Sequence, residues 1–131
     1  MSQSKAVPSI LVAEDDLITR DVLCKILSTT FPRIHIYSVE DGRAGVELFK
    51  EHKPDIVITD ISMPFMDGIQ MAGEIKAVKG NTKFIVLTAY SGDELLFEKF
   101  KKIGFSDYLS KPIVFGKLFA AVEKCINELN G

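Results

Sequence analysis

Short apolar runs alternate with helix-period segments five times along this chain. The runs are rich in β-branched residues and nearly continuous, which is typical of parallel strands buried on both faces. They occupy 10–13, 34–39, 55–59, 83–88 and 108–109. After each run, apolar residues recur at three- and four-residue spacing, which predicts an amphipathic helix.

Turn residues bound the predicted helices. The first helix covers 17–30, and the second ends at His52-Lys53-Pro54 because proline cannot continue a helix. Asp67-Gly68 opens the third helix. The fourth runs from about 92 to 103 and stops at Gly104, and the last carries an apolar stripe at Leu118, Val122, Cys125, Ile126 and Leu129.

Five strand–helix units with short connections predict one α/β domain with a parallel sheet covered by helices on both faces. Right-handed crossovers limit the topology to a few doubly wound strand orders. The length of 131 residues, 47% of them hydrophobic, suits one core. We expect a flexible N-terminus over 1–8 and a single domain over 9–130.

Composition narrows the function classes. A formal net charge of -2 provides no broad basic field, so direct nucleic-acid binding is not expected. Cys24 and Cys125 lie far apart and form no metal or disulfide motif, so we interpret them as free thiols in a reducing compartment. No signal peptide or membrane-length apolar run is present, and a soluble cytoplasmic protein is expected.

Polar residues follow the predicted strands where ligands bind in open α/β sheets, beyond the carboxyl ends of the strands. They are Glu14, Asp15 and Asp16 after the first strand, Asp60 after the third, Thr88 after the fourth and Lys111 after the fifth. Each alone has an ordinary structural explanation; Asp16, for example, suits a helix N-cap. Their arrival together at one sheet edge favours a binding site.

The chemistry of this set suggests phosphoryl transfer. Clustered carboxylates repel one another unless a cation is present, and hard oxygen ligands suit Mg²⁺, with Mn²⁺ as an alternative ion. Lys111 would neutralise charge on a phosphoryl group and Thr88 would hydrogen-bond to it. Asp60, central on the sheet, is the natural nucleophile, because carboxylates form acyl-phosphates.

Four segments resemble the response-regulator receiver domain of two-component signalling, including the chemotaxis regulators. They are ILVAEDD, DIVITDISMPFMDG around Asp60, VLTAY with Thr88, and DYLSKP with Lys111, and the likeness extends from about 9 to 130. The resemblance implies a flavodoxin-like fold with strand order 2-1-3-4-5.

The resemblance also implies a role for each site residue. Asp60 would accept a phosphoryl group from a sensor histidine kinase or a phosphotransfer protein. Glu14, Asp15, Asp60 and the backbone carbonyl of Ser62 would bind the metal ion, while Thr88 and Lys111 would bind the phosphoryl group.

Other residues match the switching parts of the family. Tyr108 matches the aromatic residue that turns inward with Thr88 on activation, and the Lys111–Pro112 peptide bond is expected to be cis. Pro64 and Gly68 match the loop after the phosphorylation site, where glycine would supply backbone freedom.

The chain also departs from the family pattern. Glu14 stands where aspartate is commoner, and its longer stem would act on the metal through a bound water. Ser62 and Tyr90 occupy positions associated with the dephosphorylation rate. Tyr90 is bulky enough to shield a phosphoryl group from water, so slow autodephosphorylation is expected.

Aromatic residues near the last two helices raise a second question. Phe97, Phe115 and Phe119 either fill the core or form an exposed patch that serves a downstream protein or a phosphorylation-dependent homodimer. The resemblance implies that signalling uses the face formed by the fourth helix, fifth strand and fifth helix.

The leading hypothesis is therefore a signalling receiver that catalyses only its own phosphorylation and dephosphorylation and is not an enzyme with an external product. A phosphate-independent interaction module of the same fold is the alternative. A phosphohydrolase is disfavoured because Asp60-Ile61-Ser62 lacks a second acid, and an FMN binder because no Ser/Thr/Gly-rich loop follows the first strand.

Overall fold

A five-stranded parallel sheet forms the centre of the molecule, in the order β2-β1-β3-β4-β5. The computed structural model describes residues 7–63, 65–89 and 94–130. The strands are β1 (Ser9–Ala13), β2 (His35–Val39), β3 (Ile56–Asp60), β4 (Lys83–Thr88) and β5 (Asp107–Ser110). The predicted doubly wound, flavodoxin-like strand order is confirmed.

Within the described ranges, five helices follow the strands in alternation. They are α1 (Leu17–Thr30), α2 (Gly42–His52), α3 (Gly68–Val78), α4 (Glu94–Ile103) and α5 (Phe115–Asn130). Residues of α1 and α5 build the core on one face of the sheet. Residues of α2, α3 and α4 build a separate core on the other face. No helix within the described residues is long and apolar enough to span a membrane.

The strand and helix bounds agree closely with the predicted pattern. β3 is shifted by one residue, beginning at Ile56 and including Asp60, and all five of its residues are buried. The predicted start of α4 near Gly92 and most of the predicted flexible N-terminus lie outside the described residues.

Aspartate N-caps begin the first three helices. Asp16, Asp41 and Asp67 each accept a hydrogen bond from the backbone N–H three residues later, at 2.9, 2.8 and 2.8 Å. Asp16 therefore has the capping role that its position suggests. At the other end of α2, Lys53 adopts a left-handed conformation (φ 47°) before Pro54, which ends the helix.

Candidate functional site

Three carboxylates converge at the carboxyl edge of the sheet. Glu14 and Asp15 follow β1, Asp60 ends β3, and one ligand oxygen from each lies within 4.8 Å of the others. Glu14 is 1% exposed and Asp60 is 5% exposed, whereas Asp15 is open to solvent. The sequence-predicted acids therefore meet in one cluster, with one member facing outward.

Lys111 joins two of these acids. Its Nζ lies 2.7 Å from Asp60 Oδ1 and 3.3 Å from Glu14 Oε1. The loop after β5 is attached to β4 because the Lys111 backbone N–H donates to the Thr88 carbonyl at 2.8 Å. The Lys111–Pro112 peptide bond is cis, the isomer that the resemblance implies. Thr88 and Lys111 therefore belong to one connected edge of the site.

Backbone contacts fix the loop that carries Glu14. Its N–H donates to the Val39 carbonyl at 3.1 Å, and its own carbonyl accepts from Arg20 Nη1 at 2.9 Å. Glu14 Oε2 also accepts from the Asp16 N–H at 3.2 Å. Sequence reasoning did not single out Arg20, because its side-chain contact with the Glu14 carbonyl spans the turn before α1 and no local motif marks it.

Gly68 lies close to the backbone of Asp60. Its N–H donates to the Ile61 carbonyl at 2.8 Å, and a Cβ at this position would lie 2.2 Å from the Asp60 carbonyl oxygen. Gly68 is already helical, so the requirement is space rather than the backbone freedom that the sequence suggested. Pro64, in the same loop, lies outside the described residues.

Crowding of the acids perturbs their protonation. Burial, together with the neighbouring Glu14 carboxylate, raises the pKa of Asp60 to about 8, although Lys111 partly opposes the rise. Burial also tends to raise the pKa of Glu14, but hydrogen bonds from Asp60 and the Asp16 amide, with the Lys111 charge, leave it lowered overall. The pKa of Asp15 is raised by desolvation and by Glu14.

The donor set fits a small divalent cation. Three acids face one lysine, so with all three ionised the cluster would carry more negative charge than Lys111 can neutralise. Carboxylate oxygens with one open side are suitable ligands for Mg²⁺, which retains waters. Glu14, Asp15 and Asp60 could hold the ion. Ser62 is exposed beside the end of β3, where the resemblance places its carbonyl as a further ligand.

The remaining predicted site residues differ in burial and in their position relative to the acid cluster. Tyr108 is exposed on β5, with its ring against Phe97 and Phe105, so it points away from the site. Thr88 is buried at the end of β4. Tyr90, predicted to influence phosphate lifetime, lies outside the described residues.

Phe97, Phe115 and Phe119, predicted either to fill the core or to form an exposed patch, have different surroundings, and Phe115 is 43% exposed. Phe97 packs against the core on the α2–α3–α4 face. Phe119 packs edge-to-face on Phe31 at 6.1 Å, and Phe115 lines an apolar cavity of about 300 Å³ with residues of α1. The three rings separate because α4 and α5 cover opposite faces of the sheet.

A doubly wound sheet with an acid cluster and a lysine at the carboxyl ends of its strands defines a class of small α/β proteins. Similarity to known proteins identifies the family within this class. The sequence matches the family described as response regulator receiver domain over residues 10–123. The chain belongs to this family, as a receiver domain of two-component response regulators.

Known proteins show the same relationship. The chain is similar to the transcriptional regulatory protein PdtaR of Mycobacterium tuberculosis, with 39% identity over 93% of this chain and 58% of that protein. It is also similar to the chemotaxis protein CheY of Bacillus subtilis, with 30% identity over 90% of this chain and 97% of that protein. The chain thus spans little more than half of the first relative.

Solved structures agree with the fold. The N-terminal domain of an uncharacterized protein from Wolinella succinogenes superimposes with a TM-score of 0.84 and 38% identity, covering 93% of this chain and 95% of that one. A response regulator receiver domain protein from Clostridium thermocellum superimposes with a TM-score of 0.85 and 27% identity, covering 93% and 96%.

Proposed function

We propose that Asp60 is the phosphoacceptor of a Mg²⁺-dependent signalling switch. The observation that carries this proposal is the environment of its carboxylate, which is buried against Lys111 at 2.7 Å and beside a second buried acid, Glu14. Such an arrangement is costly in a structural acid, because surplus negative charge is held out of water. It suits a group that works with a bound cation and accepts a phosphoryl group.

The proposed reaction combines the positions of these residues with the phosphoryl donor that the family resemblance implies. A carboxylate oxygen of Asp60 attacks the phosphorus of a phosphohistidine on a kinase or phosphotransfer protein. The new P–O bond forms as the P–N bond breaks, and the leaving imidazole takes up a proton. Lys111 balances charge on the transferred oxygens, and the Thr88 hydroxyl donates a hydrogen bond to one of them.

The acid cluster would bind the metal ion that the reaction requires. A Mg²⁺ ion bound by Glu14, Asp15, Asp60 and the Ser62 carbonyl would neutralise phosphoryl charge and favour the ionised form of Asp60. Mn²⁺ suits the same oxygen ligands. The raised pKa of Asp60 supports this coupling, since without a cation the carboxyl tends to retain a proton at neutral pH.

Signalling then proceeds by protein contacts. Phosphorylation alters the surface made by α4, β5 and α5, which a downstream protein or a second copy of the chain reads in the cytoplasm. The chain acts only on its own Asp60 and releases no external product except phosphate. The alternative, a phosphate-independent interaction module, would not need the surplus of buried acid beside Lys111.

A mass measurement tests the proposal. Incubation with a small acyl-phosphate and Mg²⁺ should add one phosphoryl group, and chelation of the metal or Asp60→Asn should abolish the gain. Asp107→Asn is the matched control, since Asp107 begins β5 at the opposite edge of the sheet and should leave uptake unchanged. Equal phosphoryl gain in Asp60→Asn and the native chain would contradict the assignment.

A further inference from the structure

Arg20 reaches back from the first turn of α1 to the end of β1. Its Nη1 donates a hydrogen bond to the Glu14 carbonyl at 2.9 Å, across a separation of six residues. The Arg20 side chain is half-buried. This contact therefore joins the helix that follows the acid-bearing loop to the strand that precedes it.

The Glu14 carbonyl lies at the point where strand pairing stops. The register of β1 with β2 and with β3 ends at Ala13, so Glu14 is the first residue beyond both ladders. Glu14 is 1% exposed, and a buried backbone carbonyl needs a hydrogen-bond donor. Arg20 provides that donor in place of a neighbouring strand.

The peptide unit that Arg20 contacts carries both acids of this loop. The Glu14 carbonyl and the Asp15 N–H belong to one planar unit, so its orientation sets the directions in which both side chains leave the backbone. Contacts on either side hold the loop: the Glu14 N–H donates to the Val39 carbonyl at 3.1 Å, and Asp16 caps α1. Between these two points, Arg20 orients the Glu14–Asp15 peptide.

The bonding partner of Arg20 indicates a directional role. The buried acids Glu14 and Asp60 pair with Lys111. The guanidinium of Arg20 is bonded instead to a carbonyl, which carries no net charge. Its contribution at this loop is therefore the orientation of the backbone, whereas charge balance in the cluster comes from Lys111.

We infer that Arg20 is a positioning residue for the metal ligands, which orients the Glu14–Asp15 peptide so that both carboxylates converge with Asp60. The inference rests on the proposed function, since it concerns the acids proposed to bind Mg²⁺. Arg20 acts through the backbone and contacts neither the ion nor the phosphoryl group. Groups that orient metal ligands from outside the coordination shell typically contribute roughly ten- to hundredfold to metal affinity.

Charge and orientation predict opposite effects for the loss of Arg20. If Arg20 acted through its charge, Arg20→Met would remove a cation that repels Mg²⁺, and the metal would bind more tightly. If Arg20 orients the ligands, the same substitution releases the peptide and weakens Mg²⁺ binding. The sign of the change in affinity therefore separates the two explanations.

Calorimetric titration with Mg²⁺ alone tests the inference on the native chain and on two variants. Arg20→Met should bind roughly ten- to hundredfold more weakly. Arg20→Lys keeps the charge but loses the planar guanidinium, and it should show a smaller weakening. Lys25→Met is the matched control, because it removes one positive charge from an exposed position on the same helix and should bind as the native chain does.

Two further measurements distinguish positioning from a general loss of structure. The backbone amide resonance of Asp15, recorded without metal, should move in Arg20→Met and remain in place in Lys25→Met. Phosphoryl uptake from a small acyl-phosphate should need more Mg²⁺ for half its maximal rate in Arg20→Met. Its rate at saturating Mg²⁺ should stay near the native value.

The outcomes separate the two proposals. A native chain that binds no Mg²⁺ contradicts the metal-dependent function, and the role of Arg20 with it. Native binding with unchanged or tighter affinity in Arg20→Met overturns the positioning role and leaves the function intact. Equal weakening in Lys25→Met also overturns it, because the loss of any positive charge on α1 would then be sufficient. If Arg20→Met does not fold, Arg20→Lys decides, and native affinity in that variant overturns the inference.

Discussion

Two acid–lysine pairs lie at opposite ends of β3, and they differ in kind. At the amino end, Asp55 Oδ1 lies 3.1 Å from Lys79 Nζ, while Asp55 Oδ2 accepts from the Ser9 N–H at 2.9 Å. The side chains of Asp55 and Lys79 are 30% and 28% exposed. At the carboxyl end, Asp60 is buried and shares Lys111 with Glu14.

The difference is one of charge balance. The Asp55–Lys79 pair is neutral, and an amide satisfies the second carboxylate oxygen, so it fastens the start of β3 and needs nothing more. The Asp60–Lys111 pair lies in a cluster of three acids, two of them buried. A salt bridge by itself is therefore a weak sign of function, whereas a buried acid whose pKa is raised by burial and by a second buried acid indicates a candidate functional site.

The largest expected difference between the two ends is in the pH dependence of stability. Asp60 has a folded pKa of about 8 against an ordinary 3.8, so its contribution is fully present below pH 4 and is lost as pH rises to 8. The formal limit is about 5 kcal/mol, from roughly four units of pKa. In metal-free buffer, Asp60→Asn should therefore be the more stable protein at pH 8, with a flatter stability profile.

Urea unfolding with chelator from pH 5 to 8 measures this profile. The lowered pKa of Glu14 acts below this window and the raised pKa of Lys111 acts above it. The raised pKa of Asp15 acts in the same direction as that of Asp60, so the comparison with Asp60→Asn, rather than the native slope alone, assigns the effect. Asp55→Asn should keep the native slope, because it leaves Asp60 untouched. A native chain whose stability rose from pH 5 to 8 would show that Asp60 does not hold its proton.

The second expected effect is a difference in phosphoryl-uptake rate between variants of Lys111 and Lys79. Lys111→Gln should slow phosphoryl uptake from a small acyl-phosphate by about a hundredfold, the usual cost of losing a charge-stabilising donor. Lys79→Gln removes the same charge at the far end of β3 and should react at the native rate. Initial rates of phosphoprotein formation provide the measurement, and equal rates for the two variants would remove Lys111 from the reaction.

Most of the fold follows from local signals in the chain. The DIVIT segment predicted a central strand because it is mostly apolar and β-branched, as is typical of strands buried on both faces. Asp67-Gly68 predicted a helix start because aspartate is a preferred N-cap residue. The acid cluster was predictable because parallel strands deliver their carboxyl ends to one edge.

Other features depend on packing that local pattern does not encode. Phe97, Phe115 and Phe119 are the same residue type, but the face of the sheet that each helix covers determines which rings are in contact. The contacts of Phe105 with Tyr108 and of Arg20 with the Glu14 carbonyl likewise arise between separate elements. Periodicity within one helix or loop gives no information on such contacts.

The smallest expected effect concerns the one solvent-exposed acid of the cluster. Asp15→Asn should change metal-free stability by no more than about 0.5 kcal/mol, as is usual for a surface residue. Mg²⁺ at ten times its dissociation constant should stabilise the native chain by about 1.4 kcal/mol, and Asp15→Asn should lose most of this gain. Asp107→Asn, at the amino edge, should retain the gain in full. Urea unfolding with and without Mg²⁺ decides the matter, since an undiminished gain in Asp15→Asn would restrict the metal ligands to the buried acids.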